Sequence, residues 1–408
     1  MAIRRIRSLY SAFCVPAVAL IAPLALPPPA HAVVPAPGVT PAALTVGTHV
    51  DLSGPLAPVG NAVKNGLAMA FDETNAKGGV FGRKLKLIVE DNGYDAAKAR
   101  AAVDALLAAP VFAVLCPVGT PPVAATIETV LKHETLHLFP FTSADDTYVP
   151  SQALEFAIDP PVAAQVREGV ATLTQLKGPL KTAVLYRDDE FGRAARDGAL
   201  DALAREQRRA AAVIAYPPQS RAFGREIARL KKAHVALVVL GAVPDEIIAI
   251  AQAARARGYA PAFLCPADCH IPEVATLGGA AVNGLYSVAG TPMPYPDSGN
   301  RALRDWVGRY ERRYRTVASE HAFRAYLDAR LFVAALRRSG PHPTERHFAR
   351  VLEAMPAWRD PDFDAPAVDF TARDHLGLRH PFLAQIRRRR WQKVELPSTD
   401  HANVNHGH

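Results

Sequence analysis

The sequence predicts an α/β fold with two doubly wound parallel-sheet lobes, and three observations support this prediction. Short apolar strands and amphipathic helices alternate along most of the chain, which is typical of parallel sheets covered by helices on both faces. The alternation occurs in two series, separated by an extended segment that ends at Asp159-Pro160-Pro161. The chain has 408 residues, of which 49% are hydrophobic and 21% charged, so it has enough apolar side chains for two cores.

The first βαβ unit is the clearest element of the sequence. An apolar strand that begins at Thr45 runs into a Ser-Gly-Pro turn at Ser53, and a helix with apolar residues three and four positions apart follows. A Gly-Gly pair at 78–79 ends that helix, and the strand KLKLIVEDN comes next. Because a right-handed crossover makes the two strands parallel, a ligand is expected beyond their carboxyl ends, where the Ser53 turn lies.

The same periodicity assigns the later elements. The further strands are expected at residues 111–116, 136–139, 182–186, 209–216, 235–240, 262–264, 284–288, 367–370 and 382–393, and residues 154–158 are expected to form an extended crossover. The further helices are expected at residues 96–107, 123–134, 162–176, 193–207, 222–232, 244–256, 301–315 and 321–338.

The N-terminus has the features of an export signal. A basic stretch at residues 4–7 precedes an apolar run at 13–26, and an Ala-His-Ala sequence ending at Ala32 fits a cleavage site. An uncleaved anchor is the less favoured alternative, because prolines break the run well short of a membrane span. We therefore expect a signal peptide over residues 1–32, a flexible leader over 33–43 and a mature protein in the periplasm.

The charge of the chain argues against a nucleic-acid partner. The formal net charge is +8, but 39 acidic residues dilute the basic ones, and no basic face with interleaved aromatic residues is apparent. The four consecutive arginines at 387–390, followed by Trp391, are the exception. Alternate residues of a strand face opposite sides, so this run fits a solvated edge hairpin better than a nucleic-acid groove.

The cysteines leave two interpretations open. Export permits a disulfide, and Cys265 and Cys269 are a plausible local pair. The same residues followed by His270 also suggest part of a metal site, but a second pair of ligands at zinc-like spacing is absent. We expect no metal and no cofactor, and Cys116 remains as an odd thiol.

The segment Gly119-Thr120-Pro121 is the best site candidate on physical grounds. Thr120 is a good N-cap and Pro121 suits the first helical position. The free N–H groups and the positive end of the helix dipole would favour an anion such as a ligand carboxylate. Ordinary helix capping is the alternative interpretation.

Catalysis has little support in the sequence. A Gly-x-Ser-x-Gly elbow, a His-Glu-x-x-His helix and a phosphate-binding Gly-x-x-x-x-Gly-Lys loop are all absent. His133 and His137 have no obvious carboxylate partner. No catalytic residue is expected. A periplasmic hydrolase of α/β architecture is a further hypothesis, which the absence of a nucleophile motif argues against.

The order of several motifs resembles a known family. The Ser-Gly-Pro turn at Ser53, the segment NAKGGVFGRKL that begins at Asn75, and the Glu-Asp-Asn end of the second strand resemble the opening of the branched-chain amino-acid (Leu/Ile/Val) periplasmic binding-protein family. The resemblance extends over nearly the whole mature chain. It implies a type I periplasmic binding fold whose lobes are joined by three crossovers, which we place near Ile158, Tyr286 and Ala367.

These crossovers set the expected domain limits, which are residues 44–158 and 288–367 for the N-terminal lobe, 159–287 and 368–396 for the C-terminal lobe, and 397–408 for a disordered tail.

The resemblance also implies where a ligand is held. Loops of the first lobe would bind a ligand carboxylate, an aromatic residue of the second lobe would line the cleft, and a glutamate would bind an ammonium group. This chain has Ala267-Asp268 where that glutamate is usual, so Asp268 is the substitute and the ligand need not carry an ammonium. The ligand-binding residues expected on this basis are Ser53, Gly119, Thr120, Thr142, Ser143, Ala144, Tyr186, Phe191 and Asp268.

The function implied by the resemblance is capture rather than turnover. A small amino acid, amide or organic acid would bind between the lobes and pass to an ABC permease of the inner membrane, with the binding protein acting as a monomer. A periplasmic sensor of the same fold, signalling to a membrane partner, is the alternative.

Overall fold

We describe the protein from a computed structural model, over residues 36–142, 152–363, 365–378 and 381–395. The expected signal peptide, the first three residues of the expected leader (33–35) and the expected C-terminal tail lie outside these residues. The rest of the leader, expected to be flexible, packs on the first lobe instead: Ala36 and Val39 are buried, and Val39 forms a bridge with Leu44. Within them, no helix combines the length and apolar character that crossing a bilayer requires.

Two parallel-based sheets form the framework. The strands are β1 (Ala43–Val50), β2 (Lys84–Asp91), β3 (Ala113–Leu115), β4 (Leu136–Leu138), β5 (Glu155–Phe156), β6 (Thr182–Arg187), β7 (Val213–Tyr216), β8 (Leu237–Gly241), β9 (Ala262–Cys265), β10 (Tyr286–Ala289), β11 (Phe382–Arg387) and β12 (Arg390–Lys393). The first sheet has the order β2-β1-β3-β4-β5 and is parallel. The second has the order β12-β11-β10-β9-β8-β6-β7, with β11 and β12 antiparallel to their neighbours.

Helices cover both sheets, as the alternating sequence predicts. The α-helices are α1 (Ala57–Ala76), α2 (Ala96–Ala108), α3 (Thr120–Ala124), α4 (Ile127–Lys132), α5 (Val162–Lys177), α6 (Glu190–Arg205), α7 (Gly224–Lys232), α8 (Pro244–Ala256), α9 (Pro272–Leu277), α10 (Arg301–Tyr314), α11 (Glu320–Arg338) and α12 (Glu345–Ala354). The predicted two-lobed fold class is therefore confirmed.

Some elements differ from the sequence-based expectation. The helix expected at 123–134 is divided into α3 and α4 at Thr126, whose hydroxyl donates to the carbonyl oxygen of Pro122 (2.9 Å). Helix α12 was not expected. The strand expected at 367–370 is only an isolated bridge between Val368 and Trp358. The missed strand depends on tertiary pairing, whereas α12 has a local signal, the N-cap Thr344, that the sequence analysis did not use.

The first lobe is held together by close packing of α1 on α11. Gly66 makes this possible, because a Cβ at that position would overlap the carbonyl oxygen of Ala322. Under the helices, Phe332 packs against Phe71 (ring centroids 6.2 Å apart) and Phe348 (5.2 Å). These rings are buried and anchor the carboxyl-terminal helices onto the N-terminal sheet.

Three chain segments cross between the lobes at one place. The N–H of Leu378 donates to the carbonyl oxygen of Ile158 (2.8 Å). A Cβ on Gly290 would lie 2.7 Å from Asp159 Oδ1 and 3.0 Å from Leu378 Cδ2, so this glycine allows all three segments to meet.

Two of the predicted crossover positions need correction. Tyr286 lies within β10 of the second sheet, so the second crossing follows that strand. The third lies near Leu378 rather than Ala367, because the segment before it still packs on the first lobe, where Phe370 stacks on Phe139 (6.0 Å).

Candidate ligand-binding cleft

A buried asparagine fixes the loops at the carboxyl edge of the first sheet. Asn92 Nδ2 donates to the carbonyl oxygen of Val118 (2.8 Å) and lies 3.1 Å from His49 Nδ1. Its Oδ1 accepts from the N–H of Tyr94 (2.9 Å). One side chain thus ties together the ends of β1, β2 and β3, and it sets the position of the turn that carries Tyr94.

The Ser53 turn is a structural support rather than an open ligand contact. The Ser53 hydroxyl donates to Asp91 Oδ2 (2.6 Å). The buried Asp51 carboxylate accepts from the N–H groups of Ser53 (3.2 Å) and Leu56 (2.7 Å). Ser53 is exposed, and its hydroxyl is used in holding the loop.

The Gly119 loop differs from the prediction in its detail. Gly119, not Thr120, is the N-cap of α3, and its φ of 104° favours glycine. The N–H of Gly119 donates to the carbonyl oxygen of Phe141 (2.9 Å), so this group is used within the protein. The helix spans only five residues, and Thr120 is buried in its first turn. The N-terminus of α3 therefore binds an anion less strongly than the sequence predicts.

The loop after β4 lies beside the Gly119 loop. Val118 and Phe141 form a parallel bridge, and Thr142 follows as a buried residue. Thr142 thus lies at the carboxyl edge of the sheet, as expected. Ser143 and Ala144 lie outside the described residues.

Arg187 is the cleft residue that the sequence did not single out. It ends β6 in the second lobe, and its side chain is buried although it is charged. Its Nε donates to Asp189 Oδ2 (2.6 Å), and its Nη1 lies 3.5 Å from Glu246 Oε1. Its guanidinium lies 5.6 Å from the ring centroid of Tyr94 in the first lobe. This cation–π contact joins the lobes across the cleft.

The carboxylates that hold Arg187 are themselves held. Asp189 caps α6 by accepting from the N–H of Gly192 (2.9 Å). Glu246, in the first turn of α8, accepts from the hydroxyl of Tyr216 (2.8 Å) and the N–H of Gln219 (3.2 Å). The guanidinium therefore has a fixed position, which limits the entropy lost when the lobes meet.

Tyr186 and Phe191 do not line the cleft as expected. Both are buried, at 8% and 3% exposure, in the hydrophobic core of the second lobe together with residues of α5 and α6. For Tyr186 the reason is that side chains alternate between the two faces of a strand. Tyr186 and Arg187 are consecutive in β6, so they point to opposite faces. Arg187, and neither of the two expected aromatic residues, makes the contact across the cleft.

Asp268 is a carboxylate without a cation. It lies in a short 3-10 helix, Ala267–Cys269, that is bracketed by a disulfide between Cys265 and Cys269. Burial, with a further contribution from the negative charge of Asp159, raises the pKa of Asp268 to about 6. Among the described residues it has no ion-pair partner.

Charges of the second lobe converge on Tyr94. Burial and the nearby Asp189 carboxylate raise the pKa of the Tyr94 hydroxyl well above its ordinary value, with smaller contributions from Asp268 and Glu246. Arg187 opposes this rise. Since all four charged residues belong to the other lobe, Tyr94 marks the place where the two faces of the cleft meet.

An ion triad centred on the buried Arg324 lies at the crossovers. Arg324 of α11 donates to Asp159 Oδ1 (2.6 Å), on the first crossing, and to Asp328 Oδ1 (2.7 Å). The thiol of Cys116 lies 3.8 Å from Asp328 Oδ2, and burial raises its pKa well above the ordinary value. This cysteine is a buried structural residue.

His137 has a carboxylate neighbour after all, which corrects the sequence-based expectation. Its Nδ1 lies 4.0 Å from Glu155 Oε1 in the adjacent strand, and both side chains are buried. Burial raises the pKa of Glu155 to about 8 and lowers that of His137 to about 3. Both are thus uncharged at neutral pH, in the interior of the first lobe. The part of the chain that the structure describes holds no cluster of side chains suited to a metal ion.

Two lobes with converging polar groups define the class of this molecule as a two-lobed binding protein. The Periplasmic binding protein family matches residues 43–390, and the chain belongs to this family. The predicted resemblance is thereby confirmed, and because the family consists of binding proteins, the chain is a binding protein rather than an enzyme.

Individual relatives are distant in sequence. The chain is 24% identical over 312 residues to Leu/Ile/Val-binding protein homolog 7 of Brucella melitensis, covering 72% of this chain and 77% of that protein. It is 23% identical over 237 residues to the Leu/Ile/Val-binding protein of Escherichia coli K12, covering 57% and 64%.

Solved structures share the fold. A fatty acid ABC transporter substrate-binding protein from Thermomonospora curvata superposes with a TM-score of 0.79 at 22% identity, over 89% of this chain and 94% of that one. A branched-chain amino acid ABC transporter protein from Thermus thermophilus with bound valine gives 0.77 at 18% identity, over 88% and 97%.

Proposed function

We propose that this protein is the periplasmic substrate-binding component of an ABC transporter, and that it binds a small amino-acid-like or carboxylated ligand between its lobes. The observation that carries the proposal is the convergence of Arg187, Asp189, Glu246 and Asp268 of one lobe on Tyr94 of the other. A cleft with polar groups on both faces gains contacts only when it closes, which couples binding to closure.

The proposed ligand carries a carboxylate. Thr142 lies at the first-lobe edge where a carboxylate-binding loop is expected, and the related proteins of known structure are named for valine and for fatty acid, which share this group. Asp268 adds a negative charge with no cation partner among the described residues. A ligand that also carries an ammonium would supply that cation.

A ligand screen tests the proposal. Thermal unfolding is followed in the presence of amino acids, their amides and esters, organic acids and fatty acids, because a ligand stabilises the native state by RT ln(1 + [L]/Kd). Free acids are expected to raise the melting temperature, while matched amides and esters are not. If no carboxylated compound stabilises the protein, the proposed ligand class is wrong.

Two variants locate the site once a ligand is found. Thr142→Val removes a hydroxyl that the proposal assigns to the ligand carboxylate and is expected to weaken binding about tenfold. Thr142→Ser keeps the hydroxyl and is the matched control. Equal affinities of the two variants would remove Thr142 from the site.

Delivery and location require separate measurements. N-terminal sequencing of the protein from a periplasmic extract is expected to show cleavage after Ala32. Uptake of the identified ligand is expected to be lost when the gene is deleted and restored by its expression. Normal uptake in the deletion strain would contradict the transport role while leaving binding intact.

A further inference from the structure

The β11–β12 hairpin ends in a turn that does not favour the residues it holds. The final pair of the ladder is Arg387 with Arg390, and the two turn residues, Arg388 and Arg389, have φ values of 52° and 63°. Two-residue turns of this left-handed kind favour Asn-Gly, because a Cβ is strained there. Two arginines thus occupy positions where folding alone would favour other residues.

The charges at this turn are not neutralised within the described chain. Arg387, Arg388 and Arg389 are exposed. The Nε of Arg387 donates to the neutral Gln385 (2.7 Å), and Nη2 of Arg389 donates to the carbonyl oxygen of Thr276 (3.1 Å). Neither these two nor Arg388 has a carboxylate partner among the described residues.

Arg390, the next residue, behaves differently. Its guanidinium donates to both carboxylate oxygens of Asp297, at 2.8 and 2.5 Å, and lies 4.0 Å from the ring centroid of Tyr295. The hairpin therefore separates one paired arginine, which anchors it to the lobe, from three that face solvent.

An exposed leucine lies beside these arginines. Leu277 ends α9 and is 68% exposed, more than any other large hydrophobic residue among those described. It follows Thr276, the residue whose carbonyl binds Arg389. Arg255, in the last turn of α8, is also exposed. Its Nη1 lies 3.4 Å from the carbonyl oxygen of Ala280, three residues after Leu277. One acidic residue, Glu273, lies a turn earlier on α9.

We propose that this surface, the arginine–leucine patch (Arg255, Leu277, Arg387, Arg388 and Arg389), docks the protein on the anionic headgroup surface of a phospholipid membrane. Guanidinium groups bind phosphate through paired N–H donors. Each basic residue near an anionic leaflet adds attraction that salt weakens, and an exposed leucine can enter the headgroup boundary.

The arrangement of the patch favours a membrane over other anions. Its cations come from two separate elements, the β11–β12 hairpin and the end of α8, rather than from one loop folded around a small anion. They extend from a hairpin tip and a helix end around one apolar side chain. We infer that an extended anionic surface contacts several of them together, and this interaction does not depend on the identity of the transported ligand.

Vesicle co-sedimentation tests the proposal. The purified protein is expected to bind vesicles that contain phosphatidylglycerol, to bind vesicles of phosphatidylcholine alone much less, and to dissociate as salt is added. Arg388→Asn combined with Arg389→Gly is expected to weaken binding about tenfold or more. Because Asn-Gly suits this turn, the double variant is also expected to unfold at the same or a higher temperature.

A control of equal charge distinguishes a local patch from net charge. Lys86→Gln combined with Arg100→Gln removes two exposed cations from the first lobe, and its vesicle binding is expected to equal that of the wild type. Equal loss in both double variants would overturn the proposal, as would failure of the wild type to bind anionic vesicles. If vesicle binding is absent but the turn variant impairs transport, the patch contacts a protein and the membrane assignment is wrong.

Discussion

Replacing Tyr94 by leucine isolates the contact that joins the two lobes. The substitution removes the aromatic ring that lies 5.6 Å from the Arg187 guanidinium, but it leaves the ion pairs of Arg187 with Asp189 and Glu246 in place. Substituting Arg187 instead would leave two carboxylates without their partner, and the result would mix several effects. Tyr94→Phe keeps the ring and is the matched control.

The expected magnitude follows from the environment of the contact. A cation–π interaction contributes about 0.5–1 kcal/mol when exposed and about 2 kcal/mol when desolvated. Arg187 is only 4% exposed, so the upper part of that range applies. Loss of about 1.4–2 kcal/mol from the closed state lowers its population about 10- to 30-fold relative to the open state. The apparent ligand Kd rises by the same factor when the closed form is scarce.

Two measurements check this prediction. Titration calorimetry with the ligand found by screening is expected to show weaker binding for Tyr94→Leu and nearly wild-type binding for Tyr94→Phe. Small-angle scattering at one subsaturating ligand concentration is expected to show a larger radius of gyration for the leucine variant, because less of it is closed. If both variants bind as the wild type does, or if both lose affinity equally, the cation–π contact does not stabilise closure.

Three further predictions concern burial and packing. Asp268→Asn is expected to raise the melting temperature of the ligand-free protein at pH 7. The pKa of Asp268 in the folded protein, about 6, exceeds the ordinary value of 3.8, so ionisation of this carboxyl lowers the stability of the wild type as the pH rises between these values. A difference in melting temperature between wild type and variant that stays constant from pH 4 to 7 would contradict this prediction. Glu155→Gln replaces a carboxyl whose pKa in the folded protein is about 8. The free energy of unfolding of the wild type is therefore expected to fall relative to that of the variant as the pH rises from about 4.5 to 8. Urea unfolding at several pH values measures this difference. Gly66→Ala is expected to destabilise the protein by about 1–3 kcal/mol in urea unfolding, because the new methyl group overlaps the carbonyl oxygen of Ala322. Alanine ordinarily stabilises a helix interior relative to glycine. A variant more stable than the wild type would therefore show that α1 and α11 separate easily.

The sequence was most informative where local pattern and tertiary structure agree. The alternation of strands and helices predicted the fold class, because parallel strands buried on both faces must be apolar throughout. The crossover predicted near Ile158 follows β5, the last strand of the first sheet, and Pro160 was the local signal for it. The later crossovers were misplaced because β10 and the segment before Leu378 are assigned to a lobe by packing, which periodicity does not reveal.

The candidate site was less predictable. Tyr186 was chosen by resemblance, but one step along a strand reverses the face, so its neighbour Arg187 reaches the cleft instead. A charged residue at the end of an apolar strand, followed two residues later by Asp189, was the available signal. Asn92, which holds three loops through one amide, carried no signal beyond its place at a strand end.

The meeting of the three crossovers at Gly290 has a mechanical consequence. The first and third segments also pair side by side, through Ala157 with Gly377 and Ile158 with Leu378, so we expect the two lobes to turn about an axis along this narrow connection. The Arg324–Asp159 ion pair lies beside this axis, so a rotation changes its length only slightly, whereas groups at the far rim of the cleft move through a long arc. A side chain at Gly290 would overlap the crossing segments at this axis. It is expected to change the amplitude and rate of lobe closure, while the residues that contact the ligand stay the same.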